Sequence, residues 1–398
     1  MNPPPAHRVG PKQLSPEMWD ELSAGRVPDR ELCCELLNCS DADLPALLRC
    51  ARAVRDRFHP AVITYSRKVF LPLTNLCRDY CGYCTFRRDP GDAGAHTMAP
   101  DEVLETCHRA EALGCREALF SLGDKPEIAF SEMRATLAHL GYRSTLHYLE
   151  AMCELILRET SLLPHANPGV MSGEWVERIG AVCPSVGLML ETTSNSLQRP
   201  GAAHDGAPDK VPALRLRTIE EAGRRGIAFT TGMLVGIGET IPDRVDSLFA
   251  IGEMHQRYGH VQEVIIQNFR AKPTIPMSAQ PEPGMSEMLR TVAVARLVLQ
   301  EMNIQAPPNL SAPDHPQLIS AGINDWGGVS PLTPDFINPE APWPHLAELE
   351  RRTNAAGSEL RERLCIYPEF IPAALERGGL MAEKLHLAAI DRVARSAA

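Results

Sequence analysis

The chain has 398 residues, 44% of them hydrophobic and 5% aromatic, with a formal net charge of -10 at pH 7. That length fits one large domain or two ordinary ones, and the acidic balance argues against a nucleic-acid binder that works by neutralising phosphates. No stretch reaches the roughly 20 apolar residues that span a bilayer, and the start, M-N-P-P-P, has no apolar secretion segment, so a cytoplasmic protein with neither nucleic-acid nor membrane partners is expected.

Residues 1–14 are Pro-rich and read as a disordered tail, and residues 15–60 read as N-terminal helices. Near Ser66 the rhythm changes. Short apolar runs over Lys68–Pro72, Glu117–Ser121, Leu163–Asn167, Val186–Glu191, Ala228–Val235 and Glu263–Asn268 predict strands. Between them, Pro100–Leu113, Ser144–Glu159, Gly173–Ile179, Ala213–Arg225 and Arg244–Gly259 have helical periodicity. Strands covered on both faces read as continuous apolar runs. The series therefore predicts an α/β fold built on a β/α barrel, TIM-like and of six to eight units. A helix over Ser286–Met302 follows, with a seventh strand expected over Ile304–Leu310 and an eighth over Gln317–Gly322. Residues 322–345 are Gly- and Pro-rich and read as a long irregular segment. The barrel is expected over residues 61–345 and C-terminal helices over 346–398, as Leu346–Leu364 and Ile371–Ser396.

The chain carries twelve cysteines. With no export signal they are expected to be reduced thiols rather than a disulfide framework. Three of them, Cys77, Cys81 and Cys84, fall in C-R-D-Y-C-G-Y-C, just after the first predicted strand. Barrel enzymes keep their chemistry at that end of the strands. Structural zinc wants four ligands, and His96 is a candidate fourth. Three thiols left without any ligand are a second alternative. A [4Fe–4S] cluster on three thiolates is the third; it leaves one iron open, and an open coordination position belongs to catalysis rather than structure.

C-x3-C-x2-C with Tyr83 before the last cysteine resembles the signature of the radical S-adenosylmethionine (SAM) superfamily. The resemblance implies that Cys77, Cys81 and Cys84 hold the cluster, that its open iron chelates SAM, and that one electron splits SAM into methionine and a 5′-deoxyadenosyl radical. It implies SAM contacts as well. S-L-G-D-K-P-E (121–127) is similar to the family's Gly-Gly-Glu segment, which receives the methionine ammonium. Gly123 and the acids Asp124 and Glu127 match it, and Leu122 stands in place of the first glycine. Glu191 matches an acid that bonds the ribose. Gly236, Gly238 and Glu239, in G-M-L-V-G-I-G-E, match a segment beside the adenine, which Tyr83 would flank. Without the resemblance these residues read as a Gly-Asp turn, a loop-facing Glu and glycines of strand–helix packing. Arg78, Arg87 and Arg88 flank the cysteines, where they would favour a reduced cluster, form a docking face for a reductase, or sit on a solvated loop.

Five segments, T-N-L-C-R-D-Y-C-G-Y-C-T-F (74–86), F-S-L-G-D-K-P-E (120–127), H-A-N-P-G (165–169), Q-N-F-R-A-K-P (267–273) and G-I-N-D-W-G-G-V-S-P (322–331), resemble the deazaflavin (FO) synthase family in its CofG-type form. The resemblance spans roughly residues 60–385. It implies a small-molecule substrate, the adduct of a hydroxybenzyl group and 5-amino-6-ribitylaminouracil. A CofH-like sister subunit would make that adduct, and flavodoxin or ferredoxin would supply the electron. Hydrogen abstraction, ring closure and loss of ammonia would give FO, the precursor of coenzyme F420. A polyhydroxylated substrate needs polar contacts, for which Asn167, Asn268, Arg270, Lys272, Asn324 and Asp325 are candidates. Among them, Asn268, Asn324 and Asp325 are the candidate catalytic residues, and Trp326 is a candidate stacking ring. The alternatives are CofH-like transfer of the tyrosine-derived group and a zinc-bound module without catalysis.

Overall fold

The structure is a computed structural model and describes residues 14–396. The tail predicted over residues 1–14 lies, Leu14 apart, outside the described residues. Eight parallel strands form the barrel: β1 (Val62–Pro72), β2 (Glu117–Ser121), β3 (Leu163–Asn167), β4 (Ser185–Gly187), β5 (Ala228–Val235), β6 (Val261–Asn268), β7 (Ile304–Gln305) and β8 (Asp325–Val329). They follow one another in sequence order, and β1 closes the ring by pairing with both β8 and β2.

The sequence explains these elements locally. A-F-T-T-G-M-L-V in β5 is buried at every position, as a strand between a packed barrel interior and an outer helical layer must be. The outer helices bury one stripe each; Thr145–Glu159 buries Leu149, Met152, Cys153 and Ile156. Helix Ile241–Tyr258 starts in a capping box between Thr240 and Asp243 and stops at Gly259, whose φ of 64° a side chain disfavours. N-terminal helices Arg30–Leu37 and Leu44–Phe58 pack on the barrel's outside against helix Met285–Leu299, where Arg290 Nε donates to the Cys39 carbonyl at 2.9 Å, and Pro16–Ser23 packs on Leu44–Phe58. All twelve cysteines are free thiols. Among the described residues, no helix is long and apolar enough to cross a membrane.

The C-terminal third departs from expectation. Residues Gln317–Ser320, predicted as the eighth strand, form one helical turn. The eighth strand is instead D-W-G-G-V, within the segment read as irregular. Residues Leu346–Leu364 are not one helix: the helix ends at Ala355, and β9 (Glu359–Arg363) follows. This ninth strand pairs with Val62–Ser66, the first half of β1, and lies at the barrel's base. The final helix is split into Ile371–Glu376 and Gly379–Ser396 by Gly378 and Gly379, both at positive φ. The fourth strand is shorter than Val186–Glu191; beyond Gly187 only Glu191 rejoins the sheet, through a bridge to Met233.

At the end of β9, Arg363 closes the base chemically. Its Nε donates to Asp325 Oδ2 at 2.6 Å, and its Nη2 donates to Glu263 Oε1 at 2.7 Å. Tyr367 donates to the same Glu263 oxygen at 2.9 Å and stacks on the guanidinium at 4.4 Å.

Candidate active site

A cavity of about 350 Å³ occupies the barrel interior, within the range of small-molecule sites. Strand register orders its walls. In the β1–β2 pair Lys68 lies opposite Glu117, Phe70 opposite Leu119, and Pro72 opposite Ser121. Alternation along a strand sends every second residue inward, so the interior rises from a polar floor to an apolar middle. Lys68, Glu117, His165, Glu263 and Gln305 line the floor, and Phe70, Leu119, Leu234, Ile265 and Phe269 line the middle. Above them, in the loop after β1, Cys77, Cys81 and Cys84 all border the same cavity.

Backbone geometry holds the cysteine loop. The N–H groups of Asp79 and Asp124 donate to Cys77 Sγ at 3.4 and 3.2 Å. Gly123 packs so tightly that a Cβ there would collide with the Leu76 carbonyl and lie 2.7 Å from Cys77 Cβ. Burial pushes the Cys77 thiol up to about 12 and the Cys81 thiol well above its usual range. A positive metal centre is what would draw the protons off both, since thiolates are the ligands. Three thiols facing one cavity, one of them already accepting two amide N–H groups, fit a cluster with an open position. His96 does not complete a zinc site: it lies at the surface against Glu102 at 2.8 Å and does not border the cavity. Gly123→Ala should therefore displace the loop and lower iron content after anaerobic reconstitution to well under half of wild type; an unchanged iron-to-protein ratio would contradict this.

Glu191 is the most heavily partnered acid of the site. It is 6% exposed and adopts φ 67°, a left-handed conformation costly for a non-glycine residue. Tyr83 and Lys210 donate to its two oxygens, and Arg215 and His204 lie 3.6 and 3.7 Å away. Burial alone would raise its pKa, but Lys210, followed by His204 and Arg215, holds it well below the usual carboxylate range. Glu191, Tyr83, Lys210 and Arg215 all border the cavity. Sequence reasoning named the first two. Lys210 and His204 come from the irregular segment after Glu191, where no periodicity marks them, and Arg215 opens the next helix; the only signal was cationic residues following a buried acid.

Asp124 borders the cavity, accepts from the Val170 N–H at 3.0 Å and sits 3.0 Å from Lys125 Nζ. Burial raises its pKa, and Lys125 opposes the rise. Asp79, Asp124 and Asp209 offer oxygens within 4.8 Å of one another, and Arg78 and Lys125 neutralise that cluster through Asp209, at 2.6 and 2.9 Å. Arg87 is held by Asp89 and lies on the Tyr80 ring at 3.4 Å, while Arg88 donates to the Thr85 and Arg87 carbonyls at 2.7 Å.

Other predicted residues sit elsewhere. Glu127 turns away from the cavity and caps helix Thr145–Glu159, accepting from Thr145 N–H at 3.1 Å and its hydroxyl at 2.6 Å. Glu239 accepts from the Gly236 and Ile237 N–H groups at 2.8 and 2.9 Å and pairs with Arg244, so it shapes its loop from behind. Gly236 and Gly238, at φ 96° and 103°, need glycine for that turn and do not border the cavity. Asn324 lies under the barrel, accepting from Arg296 and from Ile304 N–H at 2.8 Å. Asp325 is the partner of Arg363 rather than a cavity residue. Trp326 borders the cavity but is 0% exposed, donates to Thr353 at 3.0 Å and meets His315 edge-on, which makes it a packing residue. Asn167, Asn268, Arg270 and Lys272 do border the cavity; Asn268 donates to the Leu310 carbonyl at 3.0 Å and Lys272 to Asn338 at 2.8 Å.

A closed parallel β/α barrel with three clustered thiols at its C-terminal mouth is the architecture of a radical SAM enzyme. The family model described as Radical SAM superfamily matches residues 71–251. The chain is 47% identical over 310 residues to the 7,8-didemethyl-8-hydroxy-5-deazariboflavin synthase of Methanopyrus kandleri, covering 78% of this chain and 93% of that protein. It is 49% identical over 381 residues to the FO synthase of Streptomyces coelicolor, covering 92% of this chain but 44% of the relative. The chain thus spans less than half the length of that FO synthase. In fold it is similar to the FeFe-hydrogenase maturase HydG from Carboxydothermus hydrogenoformans, with TM-score 0.71, 18% identity, and 93% of this chain and 87% of that chain covered. Methylornithine synthase (PylB) gives TM-score 0.67 at 18% identity, covering 86% and 97%. The chain belongs to the 7,8-didemethyl-8-hydroxy-5-deazariboflavin (FO) synthase family of radical SAM enzymes.

Proposed function

We propose that this chain closes the central ring of the deazaflavin. It would take the adduct 5-amino-5-(4-hydroxybenzyl)-6-(D-ribitylimino)-5,6-dihydrouracil, made by a CofH-like sister subunit, and give FO with loss of ammonia. The observation that carries the reading is the match, over 78% of this chain and 93% of the relative, to a protein of that name, joined to a cavity whose polar floor and apolar middle suit a molecule with a polyol and two rings. Ring closure removes ammonia and two hydrogens from the adduct; SAM is the oxidant and leaves as methionine and 5′-deoxyadenosine.

Cys77, Cys81 and Cys84 would hold the [4Fe–4S] cluster, with SAM at its open iron. Once bound, cluster and SAM supply the 5′-deoxyadenosyl radical. The protein's share is position and seclusion. Asp124 presents a buried acid beside the cysteine loop, where an ammonium would be accepted. Tyr83, within the cysteine loop, and Glu191, which it bonds, present oxygens where ribose hydroxyls would bond. Phe70, Leu119, Leu234 and Phe269 exclude water from the space in which a hydrogen atom must move. A ferredoxin- or flavodoxin-type donor would supply one priming electron, which the adduct would return on ring closure, so that both electrons taken up by SAM come from the adduct.

Anaerobic turnover tests this. Reconstituted protein with SAM, dithionite and the preformed adduct should yield a fluorescent deazaflavin and one 5′-deoxyadenosine per product. Consumption only of tyrosine and the diaminouracil would reassign the chain to the sister activity.

A further inference from the structure

Lys68 is 8% exposed, on the inner face of β1. Among the described residues its ammonium makes no hydrogen bond and has no carboxylate within 4.0 Å. Two aromatic faces lie near it, Phe70 at 5.4 Å and Trp343 at 4.8 Å, and Glu117, Asp335 and Glu263 are its charged neighbours. A buried ammonium with no acceptor is costly, yet the fold makes room for it. A Cβ on Gly328 would collide with Lys68 Cδ and lie 2.7 Å from its Nζ. The second glycine of D-W-G-G-V is therefore a slot for this lysine.

Acceptors face the same space. Glu117 lies beside Lys68 across the β1–β2 register and accepts from the Ser66 hydroxyl. The Ser185 hydroxyl donates to the Cys365 carbonyl at 2.7 Å, so at 2.6 Å it must accept from His165 Nδ1, which leaves Nε2 as an acceptor beside the Asn167 side chain. Burial keeps that imidazole neutral by lowering its pKa. Asn167 Oδ1 is buried with no hydrogen-bond partner. A Cβ on Gly187 would collide with Asn167 Oδ1 and lie 3.1 Å from His165 Nε2, so a glycine clears this space too. A phosphate or carboxylate ligand would meet Glu117 and Glu263. An apolar ligand would leave the Lys68 ammonium and the Asn167 Oδ1 without partners. A run of hydroxyls both donates and accepts.

We infer that the barrel floor is a polyol subsite, in which Lys68 donates to the ribityl hydroxyls of the substrate and Glu117, His165 and Asn167 accept from them. This rests on the reaction proposed above and adds an orientation to it. The substrate enters sugar-alcohol end first, and its two rings lie in the apolar middle, beneath the thiols.

Binding separates this inference from the reaction. FO and an analogue carrying N-propyl in place of N-ribityl are titrated into anaerobically reconstituted protein, followed by fluorescence. Hydrogen bonds to a charged donor correspond to about 10- to 100-fold in affinity. Wild type should therefore bind FO at least ~10-fold more tightly than the propyl analogue. Lys68→Met should lose ~10-fold or more for FO and leave the analogue unchanged. Gly328→Ala, which crowds Lys68 without removing its charge, should show the same ligand-selective loss in smaller degree. Equal affinity of the two ligands for wild type overturns the inference without recourse to any variant, as does equal weakening of both by Lys68→Met. Deazaflavin formation with unselective binding sinks the subsite alone; selective binding without deazaflavin sinks the reaction alone.

Discussion

Cys81→Ala is expected to abolish SAM cleavage, lowering 5′-deoxyadenosine formation under dithionite by at least ~10³-fold, to the uncatalysed background, because an enzyme's acceleration is ~10⁶-fold or more. Cys81 is 8% exposed and borders the cavity together with Cys77 and Cys84. With one thiol gone, two remain for a cluster that needs three protein ligands to keep a single iron open. Iron content and the broad thiolate-to-iron absorption should fall with it. The fold should survive, because alanine fills most of the space a free thiol occupied, so the melting midpoint stays near that of wild type. Cleavage at more than a few per cent of the wild-type rate would refute the three-thiol site.

The second large effect lies at the opposite end of the barrel. Arg363→Met should cost about 3–5 kcal/mol, because it strands two buried carboxylates, Asp325 and Glu263, that now share one guanidinium. Urea midpoints measure it. The loss should depend on pH in a definite direction. Burial already holds Glu263 at about 7, with Arg363 the largest influence opposing the rise. Removing the guanidinium lifts that carboxyl further. A carboxyl whose folded pKa exceeds its unfolded value of 4.5 contributes stability that is fully present below 4.5 and lost as pH rises through the folded value. The variant's deficit should thus be smaller at pH 5 than at pH 8. Equal midpoints for variant and wild type at pH 8 would show that the pairing carries no stability.

How much of this the residues announced beforehand depends on whether their roles are local. The first six strands were legible because β5-like runs are buried on both faces and stay apolar throughout. The cysteines were legible because their close, regular spacing stands out in the chain and matches the motif of the family. The eighth strand was not, because D-W-G-G-V carries two glycines that weaken any strand reading. Those glycines answer to neighbours in space: Gly328 clears Lys68, and Gly327 clears Gln305. β9 was hidden for a related reason. E-L-R-E-R is charged and helix-prone, and only its pairing with β1 makes it a strand. Lys68 stood at the edge of a predicted strand, but nothing in the sequence says that no acceptor meets it. Glu127 and Glu239 matched acids of a ligand-binding pattern and turned out to cap a helix and a loop, because a carboxylate near backbone N–H groups fills either role equally well. Where the chain itself already satisfies a side chain, motif matching cannot distinguish support from contact.

The strand at the base also bears on how the molecule assembles. Val62 and Glu359 pair although 297 positions separate them, so this closure carries the loop entropy of about three-quarters of the chain. Contacts of such long range form slowly. Arg363 ends that strand, so the cation that neutralises Glu263 and Asp325 is carried by the same element whose pairing closes the base over them.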